Sequence, residues 1–142
     1  MVKSTKYLLD SDILIAMLRD RGDTTGLRSR ALQAGLDNCF VSSISMAELY
    51  SGAYRMQSER GLHELEFVKA VFGIIPFGAE GKNDFEIFGQ SKAILAKSGT
   101  PLDDMDLLIG ATALAHGLTL VTHNLRHFSR IPKLKVEDWL NM

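Results

Sequence analysis

The sequence predicts an α/β fold built on a central parallel sheet. Short apolar runs alternate along the chain with longer segments of helical periodicity, the order that builds strand–helix–strand units. One of those helical segments, 104–116, is apolar almost all round, which places it in the middle of a domain rather than on its surface. The apolar runs also end in polar residues, and in a parallel sheet the carboxyl ends of the strands gather on the edge where ligands bind.

Lys6 to Asp10 is the first strand, an apolar run that ends at an acid. Ser11 to Arg19 follows as a half-buried helix with apolar residues at 13, 14, 15, 17 and 18. Arg21-Gly22-Asp23 breaks it. Thr24 or Thr25 caps a second helix that carries Leu27, Ala31, Leu32 and Leu36, ended by Gly35 or Asp37-Asn38. Cys39 to Ser42 is the second strand. The third helix opens at Ser45, and its small Gly52 and Ala53 would let a neighbour lie close. Leu62, Leu65, Val68, Val71 and Phe72 mark a fourth helix with Gly73 as its stop. Ile74-Ile75-Pro76 is a short third strand. Ala79 to Ser98 reads as a longer helix with Phe85, Phe88, Ala93, Ile94 and Leu95 inward, stopped by Gly99 with Pro101 just beyond. Asp104 to His116 is the buried helix, closed by Gly117. Leu118 to Val121 is the fourth strand and runs into Thr122-His123-Asn124. A basic loop follows, then Leu134-Lys135-Val136 as a candidate edge strand.

At 142 residues the chain is expected to form a single domain, 1–142, large enough to bury a core without disulfides or metals as staples. Its one cysteine, Cys39, cannot pair within the chain and reads as a small buried hydrophobe. The opening residues Met1 to Lys6 do not form a signal peptide, and no apolar run approaches the roughly 18 residues that span a bilayer, so a cytoplasmic protein is expected. The formal net charge of −1 excludes a global basic field. Charge is uneven locally. Arg19, Arg21, Arg28 and Arg30 cluster early, and Arg126, Arg130, Lys133 and Lys135 cluster late. They form either two solvated faces or two basic rims around an acidic centre.

Polar groups collect where strands end and helices start. Asp10 and Asp12 follow the first strand, Ser42, Ser43 and Glu48 the second, and Asn124 the fourth, while Asp103, Asp104 and Asp106 open the buried helix. Each has a structural reading. Asp10 can cap the next helix. Ser45-Met46-Ala47-Glu48 matches a capping box. The aspartates at 103, 104 and 106 favour a helix dipole, and Asn124 suits a turn. Together they argue for more. Two carboxylates ~4 Å apart repel by ~1 kcal/mol in water and ~4 kcal/mol at a protein-like dielectric. No lysine or arginine lies within these motifs to offset several of them. A divalent cation would, and oxygen ligands select a hard ion such as Mg²⁺ or Mn²⁺, suited to phosphoryl chemistry. The histidines at 63, 116, 123 and 127 lack metal-ligand spacing, although His123 and His127 flank Asn124 and could touch a phosphate. The chain has neither a GxxxxGK[ST] phosphate loop nor a GxSxG elbow.

These residues resemble the PIN-domain ribonucleases, and among them the VapC-type toxins of bacterial toxin–antitoxin pairs. The likeness rests on YLLDSDILI at 7–15, SSISMAELYSGA at 42–53, GTPLDDMDLLIGATALAHGLTLVTHN at 99–124 and the closing F-x-x-I-P at 128–132. It implies an α/β/α sandwich with a central parallel sheet of four to five strands. Asp10, Glu48 and Asp106 match the family's three metal-site acids. Asn124 falls where many members carry a fourth acid, which puts a fully acidic second metal position in doubt. Asp12 stands where Asn is commoner, and reads as a second-tier or helix-start residue. Ser42, Thr122 and Asp104 resemble supporting polar groups of the site. The implied activity is a Mg²⁺- or Mn²⁺-dependent endoribonuclease in which water attacks phosphorus in line, leaving a 5′-phosphate and a 3′-hydroxyl. Arg19, Arg126 and Arg130 would grip the RNA backbone. The resemblance also implies a homodimer neutralised by a VapB-type antitoxin. Tyr50, Tyr54, Met56 and Leu62 are where that contact is expected.

Two rival readings remain at this point. Asp10-Ser11-Asp12 after an apolar strand is also similar to the haloacid-dehalogenase phosphatases, although the fourth strand ends in His123-Asn124 rather than the paired acids they need. A PIN fold that binds RNA or a partner without cutting is the other, left open by the missing acid at 124.

Overall fold

The computed structural model describes residues 4–141. Among these, five strands form one sheet: β1 (Tyr7–Leu9), β2 (Cys39–Ser42), β3 (Gly73–Ile75), β4 (Thr119–Val121) and β5 (Val136–Glu137). They lie in the order β3-β2-β1-β4-β5, and every pairing is parallel. The helices are α1 (Ser11–Arg19), α2 (Leu27–Ala34), α3 (Ser43–Arg55), α4 (Glu59–Val71), α5 (Asp84–Lys97), α6 (Asp104–Ala115) and the short α7 (Leu125–Phe128). Met1–Lys3, read above as running straight into the first strand, lie outside the described residues. Among the described residues no helix is long and apolar enough to cross a membrane.

Strand side chains alternate between two faces, and so divide the core in two. Leu9, Val41 and Val121 face a cluster with Ile13, Leu65 and Val68 from α1 and α4. Leu8 and Leu120 face the opposite cluster, with Leu95 from α5, Leu107, Ile109 and Ala113 from α6, and Phe128 from α7. β1 sits in the middle of the sheet, and Leu8 and Leu9 are both fully buried. Helices on both faces are what an all-parallel sheet requires. α6 is as buried as its sequence demands: Leu107, Ile109, Gly110, Ala111, Thr112 and Ala113 are all inside. At Gly110 a Cβ would come within 2.4 Å of Ile131 Cδ1, so the chain beyond β4 packs directly on the α6 backbone.

Several local expectations shift. Ser42, not Ser45, caps α3, by accepting from Ile44 N. Ser45 is buried inside the helix, so Glu48 belongs to no capping box there. Gly73 does not stop α4; Phe72 is the cap and Gly73 begins β3, where a Cβ would collide with the Phe40 ring at 2.8 Å. Residues 79–83 are turn rather than helix, held by Gly78 and Gly81 at positive φ. The inward face of α5 is Asp84, Ser91 and Leu95 with Phe88 packed against the core, so Leu95 and Phe88 lie inward as expected while Phe85, Ala93 and Ile94 are exposed. The helix stops at Gly99 (φ +72), as its sequence indicates. Part of the basic loop is helical, as α7, because Phe128 is drawn fully into the core. The edge strand falls at Val136–Glu137 rather than 134–136.

Phe128 therefore anchors the segment that leaves β4. Phe128→Ala is expected to cost about 3–5 kcal/mol, read as a lower urea midpoint at unchanged m-value. A loss under 1 kcal/mol would mean that the segment is held by other contacts.

Candidate active site

Parallel pairing brings the ends of β1, β2 and β4 to one edge of the sheet. Asp10 follows β1, Ser42 ends β2 and Thr122 follows β4. α6 runs back toward the start of β4, so its first turn, with Asp103, Asp104 and Asp106, opens on that same edge. Glu48 lies in the second turn of α3, just past β2.

Asp10 is the fixed point of this edge. Its amide donates to Val121 O (2.9 Å), and its side chain caps α1 by accepting from Ser11 N (2.9 Å). The other carboxylate oxygen accepts from Thr122 Oγ1 (2.9 Å), and Thr122 Oγ1 in turn accepts from Asn124 N (3.0 Å). Thr122 is fully buried and Asp10 is only 8% exposed. The capping reading of Asp10 holds with one oxygen, and the other is held by Thr122. Asp12 Oδ2 accepts from His123 N (3.1 Å), while its Oδ1 is buried without a partner.

The acids act on one another. Burial, followed by the charge of Asp12 and with Asp106 adding, raises Asp10 to about 7 against the pull of Thr122 and the Ser11 amide. Burial, then Asp106 and Asp103, raises Glu48, opposed by the nearby Ser11 hydroxyl. That hydroxyl stays close to Glu48 without the geometry of a hydrogen bond. Burial, then Asp103, with Asp12 adding, raises Asp106, and only His127 opposes it. Asp106 is therefore felt by both Asp10 and Glu48. No lysine or arginine figures among the principal charges acting on the three. Among the described residues no three Asp, Glu, His or Cys side chains are closed up tightly enough to form a ready coordination shell. The donor set is all oxygen, and Asp12 Oδ1 and Ser11 Oγ are buried there without partners, which suits a hard cation.

The remaining residues singled out in the sequence divide. Asp104 is drawn away into an exposed ion pair with Lys92 (2.9 Å), and Asp103 is the neighbour whose charge reaches Glu48 and Asp106. Ser42 is used as the α3 cap. The Asn124 amide contacts His127 Nδ1 (2.8 Å). Arg130 reaches Pro101 O (3.3 Å) in the loop before α6, and Arg126 lies exposed on α7. Arg19 lines a groove of about 620 Å³ that also takes in Ser11, Glu48, Gly52 and Met56. Gly52 keeps this groove open instead of admitting a helix, since nothing lies within 4 Å of where its Cβ would be. Tyr54 and Met56 are well exposed, while Tyr50 and Leu62 are half-buried. Sequence reasoning missed Asp138, which holds the His123 ring from the far end of the chain; no local pattern marks it.

A family model described as PIN domain matches residues 7–134. The chain belongs to the PIN-domain family. Ribonuclease VapC2 of Haemophilus influenzae is 35% identical over 136 residues, covering 95% of this chain and 98% of that protein. The tRNA(fMet)-specific endonuclease VapC of Salmonella typhimurium is 31% identical, over 94% and 98% of the two chains. Among solved structures, VapBC2 of Rickettsia felis bound to a promoter DNA fragment superposes with a TM-score of 0.85 at 28% identity, covering 95% of this chain and 99% of that one. The PIN fold replaces the phosphatase alternative, and the strand order confirms the α/β/α sandwich.

The raised Asp10 fixes the direction of a pH effect in metal-free protein. The folded chain holds that proton more tightly than the unfolded chain, whose aspartate sits near the ordinary 3.8. Its contribution is full below that value and is lost as pH rises through about 7. Unfolding free energies from urea titrations in EDTA should fall between those limits, by a few kcal/mol at most. Asp10→Asn should flatten the fall and be the more stable protein above neutrality; an identical slope in both proteins would contradict the assignment.

Proposed function

We propose that this chain is a VapC-type toxin: an endoribonuclease that hydrolyses RNA phosphodiester bonds with Mg²⁺ or Mn²⁺ held by Asp10, Glu48 and Asp106, acts as a homodimer, and is kept inactive by a VapB-type antitoxin. Ribonuclease activity and the antitoxin come with the relatives above, which match nearly end to end. The observation that supports metal dependence is three buried or half-buried carboxylates, each raised first by burial and then by neighbouring acids, with Asp106 acting on both Asp10 and Glu48 and no lysine or arginine among their main partners. A dication there favours their ionised forms.

When bound, such an ion neutralises charge that builds on a phosphate and lowers the pKa of water. The chain's own residues supply the frame. Thr122 and the Ser11 amide orient the two oxygens of Asp10 from opposite sides. The first turn of α6 presents Asp106 at a helix N-terminus, where the dipole favours negative charge. Asp12, fixed by His123 N, adds to the acidity of the site without facing it by both oxygens. Arg19, Arg126 and Arg130 are assigned to RNA phosphates, supported by their places around the site: the Glu48 groove, α7, and the loop before α6. The antitoxin is assigned to the Glu48 groove, whose walls include the apolar Leu49, Met56 and Leu65.

Asp10→Asn, Glu48→Gln and Asp106→Asn should each lower RNA cleavage roughly hundredfold or more with the fold intact by circular dichroism. EDTA should abolish cleavage, and Mg²⁺ or Mn²⁺ should restore it. Pure protein that cuts no RNA offered, or cuts equally well in EDTA, would defeat the metal assignment.

The groove makes a separate prediction. Gly52→Phe projects a ring into open space, so the melting temperature should hold. Affinity for the antitoxin should fall roughly tenfold or more, measured by calorimetry with the purified partner. Unchanged affinity would move the antitoxin elsewhere.

A further inference from the structure

The loop that leaves β4 holds an imidazole in a built setting. His123 Nδ1 lies 3.0 Å from Asp138 Oδ2, while the His123 side chain is 57% exposed and that of Asp138 only 6%. Asp138 is itself clamped: its Oδ2 accepts from Asn141 Nδ2 (2.7 Å) and its Oδ1 from Leu140 N (3.0 Å). Burial pushes Asp138 up, but these hydrogen bonds outweigh it and hold the carboxyl below the usual range, so it is ionised and accepts. The Nδ1 proton therefore points at Asp138, and the tautomer and ring plane are set. No hydrogen bond ties down Nε2, the outer nitrogen of this exposed ring, among the described residues.

The backbone places this residue beside the acids. Thr122, one residue before, bonds Asp10, and the amide of His123 itself bonds Asp12. The imidazole also acts electrostatically on Asp12, pulling its acidity up against burial. Under the ribonuclease reading, this loop forms a rim of the edge that RNA would cross at Asp10 and Asp106. Arg126 follows on the same loop. With the Nδ1 proton given to Asp138, the outer nitrogen donates only in the imidazolium, the form that an ionised carboxylate behind the ring and an anion before it both favour.

We propose that His123, held by Asp138, is an RNA-binding residue that donates from Nε2 to a phosphate oxygen next to the scissile position. The inference rests on the ribonuclease reading above. The alternative role for the pair is a tether of the C-terminal segment, and the two make different demands on the ring. An asparagine side chain can reproduce Nδ1 and its bond to Asp138 while lacking Nε2, so it keeps a tether and loses a phosphate contact.

The test uses the full chain with Asp10→Asn, which keeps the probe uncut, and a short labelled single-stranded RNA of mixed sequence. Adding His123→Asn should weaken binding roughly tenfold, the worth of one hydrogen bond to a charged group. The slope of log affinity against log salt should shrink by about 0.7, one phosphate fewer on a single strand. The melting temperature should not change. His123→Gln, which reaches the Nε2 position, should recover part of the affinity. Unchanged affinity and salt slope in His123→Asn would overturn the inference, as would a loss that follows a fall in melting temperature. If wild type cleaves RNA through Asp10 while His123→Asn binds normally, this inference alone fails. If wild type neither binds nor cleaves RNA, both readings fail.

Discussion

The hydrogen bond from Thr122 to Asp10 is the contact on which the acidic edge depends. It joins the ends of the two central strands, β1 and β4, at the point where like charge is most concentrated. Asp10 is nearly buried and feels the charge of Asp12 and Asp106. Thr122 makes this tolerable by donating to one oxygen and by taking the Asn124 amide in turn, so a buried hydroxyl has both its roles filled. The same oxygen of Thr122 therefore sets the entry into α7 and the placement of His123 and His127. Moving Asp10 would move the rim of the site with it.

That arrangement costs stability, and the core on either side of the sheet carries it. Leu8 and Leu9 point into opposite clusters from the two residues directly before Asp10. Full burial of such side chains is worth about 1.5–3 kcal/mol each, which is the scale of the electrostatic penalty at a raised carboxylate. Alternation along one three-residue strand thus supplies both the packing and the position of the acid that the packing must hold.

Much of this was legible in the chain because it is local. The strand–helix alternation, the all-apolar α6 and the Gly99 stop each follow from a few neighbouring residues. That Asp10, Ser42 and Thr122 share an edge follows because parallel strands send their ends to one side, whereas Asp10, Glu48 and Asp106 were singled out as a set by the resemblance. Other features were not. The start of α5 was not legible, since Gly78 and Gly81 at positive φ keep 79–83 out of the helix, and its inward face depends on α6 packed against it. Gly73 looks like a helix stop but is needed for the approach of the Phe40 ring from another strand. Asp103 and Asp104 are indistinguishable in sequence, yet Lys92 removes the second from the site, since it lies across the α5–α6 contact. Asp138 bears on His123 only after the chain has passed through β5.

Asn124 shows why the exchange of one acid need not empty a site of its chemistry. A carboxylate at that position would add negative charge to a loop already facing Asp12, Asp103 and Asp106. The amide instead meets His127 at 2.8 Å, and His127 is the one charge among the main partners of Asp106 that works against its elevation. With the amide nitrogen donating, the contact selects the tautomer whose proton is on Nε2. With the amide turned over, its oxygen would accept from Nδ1 and the ring could hold both protons. Either way the side chain that replaces an acid orients a base. The segment after β4 then carries two imidazoles held at Nδ1, His123 by Asp138 from beyond β5 and His127 by Asn124 just before it. Arg126 stands in α7 beside them, so local charge rather than the formal net charge of −1 is what a polyanion would meet on this rim.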